Sequence, residues 1–140
     1  MLHIWKGTYE YAGKRLPDRL KKAKVSFDIH VSFENETHFT GTITEDLATG
    51  GMKGTGTIKG KIKGNKIAFI KQMPFTTVYT NDGTRLEETN AHRKLYYTGI
   101  KTEHGFQGEW KFRIGFRRIK NKWFFFPPSK GKWEVTTRNN

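Results

Sequence analysis

Val25, Phe27, Ile29, Val31 and Phe33 alternate with Lys24, Ser26, Asp28, His30 and Ser32. A hydrophobic period of two puts the apolar set on one face of an extended chain and predicts a half-buried β-strand. The alternation resumes after Glu34-Asn35-Glu36, with Phe39, Gly41 and Ile43 set against His38, Thr40, Thr42 and Thr44. It resumes again after Gly50-Gly51, where Met52, Gly54, Gly56, Ile58, Gly60 and Ile62 alternate with Lys53, Thr55, Thr57, Lys59 and Lys61. Lys63-Gly64-Asn65 then turns the chain into a strand over 66–73. Strands separated by short turns of this chemistry read as consecutive hairpins.

The second half repeats the theme less regularly. A weak strand is expected over 76–80, and Asn81-Asp82-Gly83-Thr84 is a strong turn signal. Residues 85–93 are polar and show no deciding period. Strands are expected over 95–100 and 106–114, joined through Glu103-His104-Gly105. A short one over 123–126 is stopped by Pro127-Pro128, and the last covers 131–137. With the segment 4–11, this makes roughly eight to ten strands. The one helical signal, Pro17 to Ala23, is long enough for a turn or two and would cap one end of the sheet.

Four segments place an aromatic residue two positions before a glycine: Trp5/Gly7, Phe39/Gly41, Tyr97/Gly99 and Phe106/Gly108. Residues two apart share a face of a strand. A ring covering a neighbouring glycine, with strong coiling of the strand there, is how a small sheet curls and closes. The expectation is therefore an all-β chain: a closed antiparallel up-and-down barrel forming a single domain over 1–140.

Composition narrows the chemistry. The chain has 140 residues, is 34% hydrophobic and 14% aromatic, and contains 11 Phe. That is enough for one real core. It has no cysteine, which excludes disulfides, thiolate metal sites and cysteine catalysis. Met1 to Lys6 lacks the basic and long apolar regions of a signal peptide, and no apolar run approaches a membrane helix. A soluble, cytoplasmic protein is expected. The formal net charge of +13 attracts anions of every kind, or simply solvates the surface, because net charge speaks to association and not to fold.

Gly56-Thr57-Ile58, Gly60-Lys61-Ile62, Ile67-Ala68-Phe69-Ile70-Lys71, Tyr97-Thr98-Gly99 and Gly108-Glu109-Trp110 follow one another in that order. This series resembles calycin-like proteins, within the superfamily of lipocalins and fatty-acid-binding proteins, over residues 4 to 135. The resemblance implies a ligand-holding β-barrel. Two departures stand out. The lipocalin signature sets Gly-x-Trp on the first strand, whereas that strand here carries Trp5-Lys6-Gly7, and Gly-x-Trp comes late, at Gly108 and Gly131. Fatty-acid-binding proteins carry a longer helical pair after the first strand and a C-terminal Arg-x-Tyr, whereas Arg138 here precedes Asn139-Asn140. Neither family's ligand transfers to this chain.

Parity assigns the inward faces. They carry Trp5, Tyr9 and Tyr11; Phe27, Ile29 and Val31; Phe39 and Ile43; Phe106, Trp110 and Phe112; and Trp133 and Val135. A barrel of about eight strands either fills with side chains or holds one small ligand. Same-parity glycines such as Gly7, Gly41, Gly56 and Gly108 favour space; the large rings favour a solid core. Lys71 shares parity with Ile67, Phe69 and Met73. If that bulkier face points inward, an amine enters the barrel and needs a carboxylate or an anionic ligand. Glu45, on the parity of Phe39 and Ile43, is the candidate partner, with Tyr9 and Tyr97 nearby. In the other orientation Ala68 and Ile70 point inward and Lys71 is solvated.

The remaining signals are weaker. Gly54-Thr55-Gly56-Thr57-Ile58-Lys59-Gly60-Lys61 matches neither phosphate-loop spacing and alternates as a strand. His3, His30, His38, His92 and His104 lack metal-ligand spacing, and no nucleophile elbow is present. No catalytic residue, metal or cofactor is expected. Arg113 to Phe126 mixes cations with aromatics, as a polyanion-binding face would, or as a charged loop beside a core strand. The leading expectation is a non-enzymatic binding protein for a small apolar or amphipathic molecule, an anionic one if Lys71 faces it. The expected lining is Trp5, Tyr9, Tyr11, Phe27, Phe39, Glu45, Phe69, Lys71, Tyr97, Trp110 and Trp133. The alternative is a nucleic-acid-binding module using its basic surface.

Overall fold

A computed structural model describes residues 2–12, 24–49, 51, 54–74, 76–79, 85–88, 94–112, 115–119, 122–126 and 129–137, with side chains over 3–12, 24–49, 51, 54–74, 94–111 and 130–137. The strands are β1 (Leu2–Ala12), β2 (Lys24–Phe33), β3 (His38–Glu45), β4 (Thr55–Lys63), β5 (Lys66–Gln72), β6 (Thr76–Tyr79) and β7 (Arg85–Glu88). They continue with β8 (Lys94–Lys101), β9 (Gly105–Phe112), β10 (Gly115–Ile119), β11 (Lys122–Phe126) and β12 (Ser129–Thr136). Eight of them close into one antiparallel barrel in the order β1-β12-β9-β8-β5-β4-β3-β2. Closure leaves none of these eight as an edge, so each barrel strand is paired on both sides. The expected closed up-and-down barrel is what forms.

The other four strands make two hairpins. β6 pairs with β7 between β5 and β8, and β10 pairs with β11 between β9 and β12. Residues 85–88 had no deciding period because a hairpin strand is set by its partner and turn, here Thr76 opposite Glu88 through Tyr79 opposite Arg85. Likewise, part of the basic stretch read as a charged loop is strand β10. The segment expected as a helix, Pro17 to Ala23, lies outside the described residues. Among the described residues a 3-10 turn, Leu47–Thr49, follows β3. Asp46 organises it, its carboxylate accepting from Ala48 N–H at 3.0 Å and its carbonyl from Gly51 N–H at 2.9 Å. Among the described residues no helix is long and apolar enough to cross a membrane.

The two ends of the barrel differ. One end is made by short turns: β2 to β3, β4 to β5 through Gly64-Asn65, and β8 to β9. From the other end leave the four longer connections, after β1, β3, β5 and β9, two of which contain the extra hairpins. The expected inward residues are buried as parity required: Trp5, Tyr9, Phe27, Ile29, Val31, Phe39, Ile43, Phe106, Trp110, Trp133 and Val135. Tyr11 is half-buried at the longer-looped end, and the side chain of Phe112 lies outside the described set.

The space left by same-parity glycines is taken by rings from adjacent and next-but-one strands. Gly60 of β4 lies between Phe39 of β3 and Phe69 of β5, whose centroids are 6.2 Å apart. A Cβ at Gly99 would sit 2.8 Å from Trp133 Cζ2, and one at Gly131 would sit 2.5 Å from Trp110 Nε1. Rings also meet across the barrel, Phe69 of β5 lying 5.2 Å from Trp133 of β12.

Candidate functional site

Among the described residues, charged side chains enter the barrel at one level only. Lys71, on the next-to-last position of β5, is 0% exposed, and Glu45 ends β3 with its side chain equally buried. Their strands are separated by β4, which presents Gly56 at this height, opposite Ile43. The Lys71 Nζ is ion-paired to Glu45 Oε2. The other carboxylate oxygen, Oε1, accepts from the Tyr9 hydroxyl at 2.7 Å. Lys71 also donates to the Tyr97 hydroxyl at 3.2 Å. Its Nζ lies 4.5 Å from the centroid of the Tyr9 ring, a cation–π contact that reaches from β5 to β1 across the barrel. The inward orientation of Lys71 is the one adopted; Ala68 and Ile70 are on the outer face, half-buried.

The electrostatics follow from burial. Taking an ammonium out of water disfavours its charge, yet the Tyr97 oxygen and the Glu45 carboxylate outweigh that cost and hold the Lys71 pKa above its ordinary value. Burial pushes the Tyr97 phenol up to about 12, against the opposing pull of Lys71. Burial and the neighbouring Glu45 carboxylate raise Tyr9 as well. At neutral pH the cluster therefore holds a protonated amine and two neutral phenols. A raised lysine pKa makes the amine a donor and not a nucleophile.

The predicted lining divides by height. Tyr9, Glu45, Lys71, Tyr97 and Trp110 gather near the longer-looped end, with Tyr11 at the rim, 5.2 Å from Trp110. Trp5 and Phe39 belong to the opposite, apolar end, where Trp5 meets Phe39 at 5.5 Å and Phe106 at 5.7 Å. Phe27, Phe69 and Trp133 pack between. Two of the tryptophan N–H groups are already satisfied: Trp110 donates to the Glu10 carbonyl at 3.0 Å, and Trp133 is within 3.1 Å of the Thr98 and Glu109 carbonyls. They are anchors of the wall, made possible by the glycines beside them. Leu95 and Val25 also line this end; the signal for Leu95 was its parity with Tyr97.

Among the described residues no cluster of His, Asp or Glu is placed to hold a metal ion. Two open grooves of about 390 and 460 Å³ lie on the outer wall over β1, β9 and β12, lined by Glu10, Lys24, Lys132 and Glu134 among others. No protein family, curated protein or solved structure matches this chain. The eight-stranded closed barrel is compatible with a calycin-like fold, and the resemblance rests on that architecture and the short motifs alone.

Proposed function

We propose that the protein binds a small amphipathic molecule at the longer-looped end of the barrel. The observation that carries this reading is the Lys71–Glu45–Tyr9–Tyr97 cluster. It gathers the buried charged side chains at one level of an otherwise apolar interior, directly below the end where the long connections leave. Buried ion pairs add little net stability, because desolvation offsets their attraction. Their presence here is accounted for by a ligand's polar group that the cluster orients, while the surrounding rings take its apolar body. Tyr11, half-buried against Trp110, is the side chain that moves to admit it. A lipocalin-like role is the family-level form of the same proposal.

The geometry refines the chemistry of that ligand. Glu45 already neutralises Lys71, so a carboxylate entering here would meet a matched pair and not a free cation. Tyr97 accepts from Lys71, and among the described residues no acceptor meets its own O–H. A neutral acceptor such as a hydroxyl, ester or ketone oxygen therefore fits better than an anion.

Native mass spectrometry of freshly purified protein tests the reading, together with displacement of Nile red by dodecanol and dodecanoate. A retained small molecule, or displacement by dodecanol ahead of dodecanoate, is the expected result. A bare mass combined with no Nile red binding would remove the proposal.

A further inference from the structure

The outer wall of the barrel is electrically divided. Register places Thr40, Lys59, Ile70 and Tyr96 side by side across β3, β4, β5 and β8. The next row sets His38, Lys61, Ala68 and Thr98 together, and Lys63 faces Lys66 beyond it. Lys94 lies at the start of β8. On these four neighbouring strands no outward position carries an acid. The outward acids, Glu10, Asp28, Glu109 and Glu134, are on β1, β2, β9 and β12. There Glu10 faces both Lys24 and Lys132, and Lys6 pairs with Asp28 at 3.6 Å. Lys59, Lys61, Lys63, Lys66 and Lys94 are all exposed, and among the described residues none has an acidic partner. The remaining exposed acids among the described residues, Glu34, Glu36, Asp46 and Glu103, lie in the turns at the ends of the barrel.

We propose that this face binds single-stranded nucleic acid. The argument is charge complementarity with a particular shape. Lys59, Lys61 and Lys63 occupy successive outward positions of one strand, about 6.6 Å apart. That is a line of point charges, and a linear polyanion engages a line. A membrane would instead call for a cluster of protruding apolar residues among the charges, whereas Ile70 is half-buried in the middle of the face and the exposed Ile100 stands singly at its edge, opposite Lys66. Among the described residues no acid opposes these lysines, so phosphates relieve their mutual repulsion, and binding releases counterions. This surface is separate from the barrel interior and stands whether or not a ligand binds there. It also differs from the Arg113 to Phe126 stretch that composition singled out.

Fluorescence anisotropy with labelled oligo(dT), measured over a salt series, decides it. Lys59→Ser/Lys61→Ser/Lys63→Ser should flatten the log–log salt slope by about 2, the loss of three contacts at roughly 0.7 each. Lys24→Ser/Lys132→Ser, taken from the balanced half, should keep the wild-type slope. All five sites are exposed, so both variants are expected to fold, and matching thermal unfolding checks this. Absence of oligo(dT) binding overturns the proposal. So does an equal loss in the control variant, tighter binding of a duplex of the same length, or binding of phosphatidylserine vesicles without binding of oligo(dT).

Discussion

Removing one member of the Lys71–Glu45 pair leaves the other charge inside an apolar barrel. Glu45→Ala strands an ammonium that is 0% exposed, and Lys71→Met strands a carboxylate that retains the Tyr9 hydroxyl. Each single variant is expected to cost about 3–5 kcal/mol, whereas a double replacement by apolar side chains of similar volume recovers most of that loss. Urea unfolding of the two singles and the double forms the cycle. Additive losses would show that the pair is not coupled. Tyr97→Phe removes only the oxygen that accepts from Lys71 and should cost about 1–2 kcal/mol. The inward position of Lys71 was legible from parity, since Ile67 and Phe69 are the bulkier set on that strand. That Glu45 meets it was not legible from parity alone, because two strands separated by a third approach only when the sheet between them is curled.

At the scale of elements, two glycines do different work. Gly64 begins the two-residue turn between Lys63 and Lys66 with φ of 62°, and nothing lies within 4 Å of a Cβ built there. Its need is conformational alone. Gly64→Ala should cost about 1–2 kcal/mol, and Gly64→Asn less, since Asn tolerates the left-handed region. Gly60 is the opposite case. A Cβ there would collide with Phe69 and the Ala68 carbonyl and stand 2.8 Å from Phe39 Cζ. Gly60→Ala should cost more, at least 1–3 kcal/mol by the usual overpacking cost; chemical denaturation ranks the two. The alternating strands β2 to β5 were legible because one face of each is buried in the barrel and the other wet. β7 and β10 were not, since their pairing is with one local partner and leaves no mark of period two.

For the whole molecule, the buried phenols and amine set the response to alkali. Tyr97 is held near 12 and Lys71 and Tyr9 above their ordinary values, so the folded chain keeps protons that the unfolded chain releases from about pH 10 upward. Stability is then full below that pH and falls as pH rises through the folded values. Unfolding free energy should stay flat from about pH 7 to 9 with respect to these groups and decline above about 10. For Tyr97→Phe the decline should be shallower. A profile that rises through this range would contradict the buried, protonated state of the cluster.

The amino-acid sequence by itself determined the strands with alternating faces and the inward parity of nearly every core residue. Each is a local consequence of side chains two apart sharing a face. Only the tertiary structure decided what those faces meet. Parity cannot say that Phe69 reaches Trp133 across the barrel, or that the space beside Gly60 is filled by Phe39. Nor can it say that the lysines of β4 gather on a half-wall free of acids while Glu10, Glu109 and Glu134 fall on the other. Those depend on how far each strand slides against its neighbour and on the order in which the ring closes. Both are fixed by packing among residues distant in the chain.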